Sequence, residues 1–152
     1  MSVERIFVKP LSGGPQSEHD QVTVVAGAGI EGDRYFGRHE EPGQNLTPVE
    51  AEEIESFLVE HKRPHDLSVT SRNLITRGVR LNELVGREFH VGEVKLRGVE
   101  LCEPCLGFGT ALASPDLVAA GIVKHFVHRA GLRADVLTSG TITRGAKVES
   151  AA

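Results

Sequence analysis

Tryptophan is absent, tyrosine and methionine occur once each, and two cysteines are the only thiols among 152 residues. Two thiols cannot build the disulfide framework of a small secreted domain; in a reducing compartment they point to catalysis or metal binding instead. A basic excess is missing too. The 17 Lys and Arg against 21 Asp and Glu give a formal charge of −4, which argues against a sequence-independent nucleic-acid binder. Apolar runs such as residues 22–30 are short and broken by glycine, far below the roughly 20 residues that span a bilayer. The opening Met1-Ser2-Val3-Glu4-Arg5 carries an acidic side chain and no apolar stretch before a cleavage site. No secretory signal is expected, and the chain reads as cytoplasmic, with a small molecule rather than nucleic acid or membrane as its partner.

What is present is the composition of a globular domain, 39% hydrophobic and 25% charged. A chain of this length buries roughly 70% of the surface that its unfolded form exposes, so it needs neither disulfide nor structural metal to fold. Neither repeat nor low-complexity linker divides it. One domain is expected over residues 1–148, followed by a frayed tail at 149–152.

Short segments at 5–8, 21–25, 73–76, 88–91, 93–101, 133–137 and 141–148 are rich in Val, Ile, Leu, Phe and Thr and are bounded by Gly or Pro. They read as strands of a mainly β fold with flanking helices. Gly98 interrupts the longest of them, which predicts a bulge or bend. Thr47-Pro48-Val49-Glu50 has the pattern of a capping box, with Val49, Ile54, Phe57 and Leu58 as an apolar helical stripe before Pro64. A second helix is expected from Ser114-Pro115-Asp116, with Ala119, Ile122, Val123, Phe126 and Val127 on its inner face and Gly131 as its stop.

Cys102-Glu103-Pro104-Cys105 leaves the longest strand and precedes Leu106-Gly107-Phe108-Gly109, read as a turn. Both thiols are therefore expected at a rim, where exposed backbone N–H groups favour a thiolate. Four readings stay open: a dithiol redox pair, two small buried apolar side chains, a structural zinc held by Cys102, Cys105, His125 and His128, and one functional thiol in an anion-binding pocket. The last draws on arginines at turns. Arg34, Arg72, Arg129 and Arg133 present planar forks suited to phosphate or carboxylate, and Asn73 offers both a donor and an acceptor to a heterocycle. No Walker-type or dinucleotide-binding glycine motif occurs.

Taken in order, Gly32-Asp33-Arg34-Tyr35, the Thr47 helix start, Ser71-Arg72-Asn73-Leu74, Gly86-Arg87-Glu88-Phe89-His90-Val91-Gly92, Glu103-Pro104-Cys105 and His128-Arg129-Ala130-Gly131-Leu132-Arg133-Ala134 resemble the MOSC domain. This is the C-terminal domain of molybdenum cofactor sulfurases, here standing alone, and the likeness covers nearly the whole chain. The resemblance implies a MOSC-type β-barrel with flanking helices in a single domain, and sets the family's Pro-Cys cysteine on Cys105. In some members that cysteine carries sulfur as a persulfide. In relatives such as the mitochondrial amidoxime-reducing component it ligates the molybdenum of a bound pterin.

Soft thiolate chemistry serves both roles. The resemblance thus implies a sulfur carrier or a molybdenum-cofactor-binding protein that reduces N-hydroxylated substrates, with a sulfur donor or redox protein as partner. Cys105 would be the catalytic thiol and the metal ligand. Arg72, Asn73, Arg129 and Arg133 would face the pterin's phosphate and ring edges, with Asp33, Arg34 and His128 placed beside them by family position. Cys102 would resolve a persulfide or simply pack. Ser71 stands where several members carry Arg. The 152 residues hold neither the sulfurases' aminotransferase-like domain nor the N-terminal barrel domain of the amidoxime reducers. Pyridoxal phosphate binding and desulfurase activity are therefore not expected of them. The alternative is a zinc-stabilised binding module, with Cys102, Cys105, His125 and His128 as ligands and no catalysis.

Overall fold

The computed structural model describes residues 1–38 and 40–151. Eleven strands and three α-helices follow in the order β1 (Ser2–Val8), β2 (Ser17–Glu18), β3 (Gln21–Val25), β4 (Gly29–Ile30), β5 (Pro48–Glu50), α1 (Ala51–Glu60), β6 (Leu74–Arg77), β7 (Glu88–Val91), β8 (Val94–Leu101), α2 (Leu106–Leu112), α3 (Ala119–Phe126), β9 (Leu132–Val136), β10 (Gly140–Thr143) and β11 (Val148–Ser150). Among the described residues no helix is long and apolar enough to cross a membrane.

Strand pairing gives three sheets, ordered β2-β1-β6-β5, β10-β3-β4 and β11-β7-β8-β9. Isolated bridges such as Ser2 to Lys147 and Leu46 to Ala134 stitch them together. The chain is thus one mainly β domain with flanking helices, while its strand order does not join into a single closed barrel. Alternation along β1 shows how the core is divided. Ile6 and Val8 enter the cluster between the sheets, and Phe7 enters a second cluster beneath the helices. In that second cluster Ile54, Phe57 and Leu58 of α1 meet Ile122 and Phe126 of α3 over Val49 and Ile75. The register shift in β8 falls between Gly98 and Glu100, where the glycine predicts it.

The expected capping box is not formed. Pro48–Glu50 is a strand, parallel to β6 at the edge of its sheet, a position where proline's missing N–H costs no ladder bond. The Thr47 hydroxyl turns to Asn73 Oδ1 at 3.3 Å, and Glu50 accepts from the Leu81 N–H at 3.3 Å, so the helix starts only at Ala51. The second helix also starts late. Ser114 and Leu117 bridge each other, and Ser114 Oγ accepts from Arg63 Nη2 at 3.1 Å, which leaves Val118 to precede the first turn.

The residues after Cys105 form α2 instead of a turn. Two glycines in seven residues make a poor helix by propensity, but a Cβ on Gly109 would lie 2.5 Å from the Ala119 carbonyl oxygen. Glycine here lets two helix backbones touch, and that tertiary contact outweighs propensity. The expected tail is corrected as well: Glu149 and Ser150 pair with His90 and Phe89, whereas Ala152 lies outside the described residues.

Candidate functional site

The end of β8, the start of α2 and three loops enclose a cavity of 580 Å³ lined by Cys102, Cys105, Arg34, Arg72, Arg133 and Glu103, together with Tyr35, Thr47 and Glu100. Its size suits a cofactor or a small ligand. Another depression of 540 Å³, around Glu4, Asp20 and Arg144, is lined by neither thiol nor imidazole.

Cys105 is exposed and immediately precedes α2, its carbonyl accepting the first helical bond from Gly109 at 3.0 Å. Cys102 is half-buried, and its N–H donates to the Gly131 carbonyl at 2.8 Å. Gly131 has φ +107°, and a Cβ there would lie 2.3 Å from the Pro48 carbonyl oxygen. Only glycine lets β9 leave α3 this close to β5.

The arginines divide by what already engages them. Arg72 donates from Nε to the Ala130 carbonyl at 2.9 Å and from Nη2 to the Cys102 carbonyl at 3.3 Å, with its guanidinium 4.9 Å from the Phe108 ring centre. Arg133 donates from Nη1 to Glu100 at 2.9 Å, across the β8–β9 pair. Arg34 stacks 4.5 Å from the Tyr35 ring centre. Its Nη1 is buried without a hydrogen-bond partner, 3.7 Å from Asp33 Oδ1.

The MOSC family model matches residues 36–149. The chain belongs to the MOSC-domain family. Solved structures share its fold: the YUAD protein from Bacillus subtilis has a TM-score of 0.83 at 19% identity, with 97% of this chain and 93% of that one covered. YiiM from Geobacillus stearothermophilus gives 0.71 at 17%, covering 99% and 75%. YiiM from Escherichia coli gives 0.69 at 17%, covering 100% and 70%. No curated protein sequence matches the chain.

Of the residues expected at the MOSC site, the cavity gathers Cys105, Arg34, Arg72 and Arg133, and Cys102 with them. Asn73 is not at its surface. It is buried, its Nδ2 donating to the Phe7 carbonyl at 3.1 Å and to Asp33 Oδ1 at 3.3 Å, while its Oδ1 accepts from the Thr47 N–H at 3.1 Å. Asp33 is buried as well and accepts from the Lys9 and Tyr35 N–H groups at 3.1 and 3.3 Å. These two are a polar hub that fixes the loop carrying Arg34.

Arg129 pairs with Glu53 at 3.6 Å, away from the cavity lining. His128 reaches the site only through Glu103, which it meets at 2.7 Å. The set of Cys102, Cys105, His125 and His128 does not assemble as metal ligands. Among the described residues, the group with ligating atoms within 4.8 Å of one another is Glu60, His61 and His125.

Glu100 and Glu103 join the lining without a motif that marks them in the sequence; the Glu100–Arg133 cross-strand pair is a signal that only a known register reveals. An exposed thiol and three arginines on one cavity, with Glu100 and Glu103 in the same lining, fit a group that joins a soft metal to anionic oxygens, such as the molybdenum cofactor.

Proposed function

We propose that this MOSC domain holds the molybdenum cofactor against Cys105 and serves the reduction of N-hydroxylated compounds. The observation that supports this is the convergence of Cys105 with Arg34, Arg72 and Arg133 on one cavity of 580 Å³. Cys105 would be the soft ligand to the metal, and Arg34, which lines the cavity, would set its positive charge toward an anionic oxygen of the cofactor. Arg72 and Arg133 are already bonded within the protein; they shape the wall and add positive potential. When bound, the cofactor supplies oxygen-atom transfer chemistry. Net reduction of N–OH to N–H consumes two electrons and two protons and releases water, so a partner reductant is required.

A second reading is favoured by Cys102, which lines the same cavity. In a sulfur carrier, Cys105 would hold a persulfide; attack of the Cys102 thiolate on its inner sulfur would form a disulfide and release hydrosulfide. Protein purified from a host that makes the cofactor separates the two. Stoichiometric molybdenum with a pterin supports the first, and a mass increment of one sulfur atom on the Cys105 peptide supports the carrier. Finding neither overturns both.

A further inference from the structure

The three residues Glu60, His61 and His125 take no part in the thiol cavity. Glu60 ends α1, His61 caps it, and His125 comes from the last turn of α3, packed on the same aromatic floor. The Phe57 ring lies 4.9 Å from His61 and 5.2 Å from His125, centre to centre. Glu60 Oε2 is 2.9 Å from His125 Nδ1 and 3.9 Å from His61 Nε2. Ligands about 2.0–2.2 Å from a tetrahedral ion stand roughly 3.4 Å apart, so these separations bracket the required geometry.

We propose that Glu60, His61 and His125 bind a divalent transition metal of zinc's ligand preference, clamping the end of α1 to α3.

Two further observations agree with it. The last turn of α1 itself carries no basic side chain, and Arg63, just beyond it, commits its guanidinium to the Phe57 face and to the Leu112 carbonyl, so a cation at Glu60 would complement the negative end of the helix dipole. The His125 side chain is only 9% exposed, so its ring is held in place on the Phe57 floor, and His125 Nε2 is buried without a hydrogen-bond partner. With Nδ1 on a metal, Nε2 would carry the proton, and a ligating histidine commonly donates that proton to a carboxylate. Glu53 is within electrostatic reach, and its Oε2 likewise lacks a hydrogen-bond partner, with Arg129 3.6 Å away. The ligand set, two histidines and one glutamate, leaves a fourth position at the surface, where Glu60 is 59% exposed.

The test uses Co2+ as a spectroscopic probe and Zn2+ as competitor, in the wild-type protein and in a Cys102→Ser/Cys105→Ser variant that removes the other soft ligands. The proposal expects one Co2+ per chain in both proteins, with the visible band of low-coordinate cobalt, displaced by one Zn2+ that raises the melting temperature. Glu60→Gln alters an exposed side chain and His61→Ala a partly buried one; each should weaken Co2+ binding about tenfold or more, and the metal-free melting temperature of Glu60→Gln should stay near the parent's. No cobalt band in the thiol-free variant, or unchanged binding in Glu60→Gln and His61→Ala, overturns the site. Neither result bears on Cys105.

Discussion

Arg72 Nη2 donates to the main-chain carbonyl of Cys102 at 3.3 Å, so a cation expected to grip ligand already holds the thiol-bearing segment in place. With its Nε bond to Ala130, Arg72 joins the two chain segments that flank α2 and α3. Lysine has one ammonium and cannot reproduce the fork. Arg72→Lys should cost about 2 kcal/mol in denaturant unfolding and speed alkylation of Cys102, which the native structure half-buries. Unchanged unfolding would mean that the guanidinium is free for ligand.

Asn73 bonds to Phe7, Asp33 and Thr47 at once, and all of it is buried. Asn73→Asp puts a second carboxylate where the amide stood 3.3 Å from Asp33 Oδ1, replacing a donor with like charge. A loss of about 3 kcal/mol is expected, read as a lower urea midpoint. A variant of wild-type stability would show that the hub is not structural.

Much of the β framework was legible because strand alternation and bounding glycines act locally. Segments 21–25 and 88–91 coincide with β3 and β7, and the Gly98 irregularity is where the sequence puts it. What failed depended on partners far along the chain. Thr47 has the local chemistry of an N-cap, yet Asn73, 26 residues on, takes its hydroxyl. Leu106-Gly107-Phe108-Gly109 has the composition of a turn, yet packing on α3 makes it the start of helix α2. At the site, residue type identified the thiol and three arginines that do line the cavity. It could not tell that Asn73 faces inward or that Arg129 is taken by Glu53, because a side chain's direction is set by register and by competing partners.

Gly109 sits where α2 crosses α3, with the Ala119 carbonyl oxygen 2.5 Å from the position of an added Cβ. Gly109→Ala gains helix propensity but forces the helices apart, and the overlap should dominate. A net loss of about 2 kcal/mol is expected, together with altered reactivity of Cys105 at the same helix's start. A gain in melting temperature would mean that α2 moves without cost.

The pH dependence of stability has a specific source at Glu55. Arg77 donates to its two oxygens at 3.0 and 2.8 Å, and this pairing, with His65 alongside, lowers the carboxyl from its ordinary 4.5 to about 2. Since the folded value is depressed, the stabilisation is fully present above pH 4.5 and is lost as the pH falls from there through about 2. Arg77→Met should therefore shift the acid-unfolding midpoint to higher pH. Superimposable acid limbs for the two proteins would count against the pairing.

The role given to Cys105 rests on its exposed thiol sharing a cavity with Arg34, Arg72 and Arg133. The most direct measurement compares Cys105→Ser with Cys102→Ser, both purified from a host that makes the molybdenum cofactor, by molybdenum content and by intact mass. Both variants should fold, since Cys105 is exposed and Cys102 only half-buried. Cys105→Ser should lose molybdenum or the added sulfur altogether, and Cys102→Ser should retain most of it; equal loading of both variants would contradict the assignment.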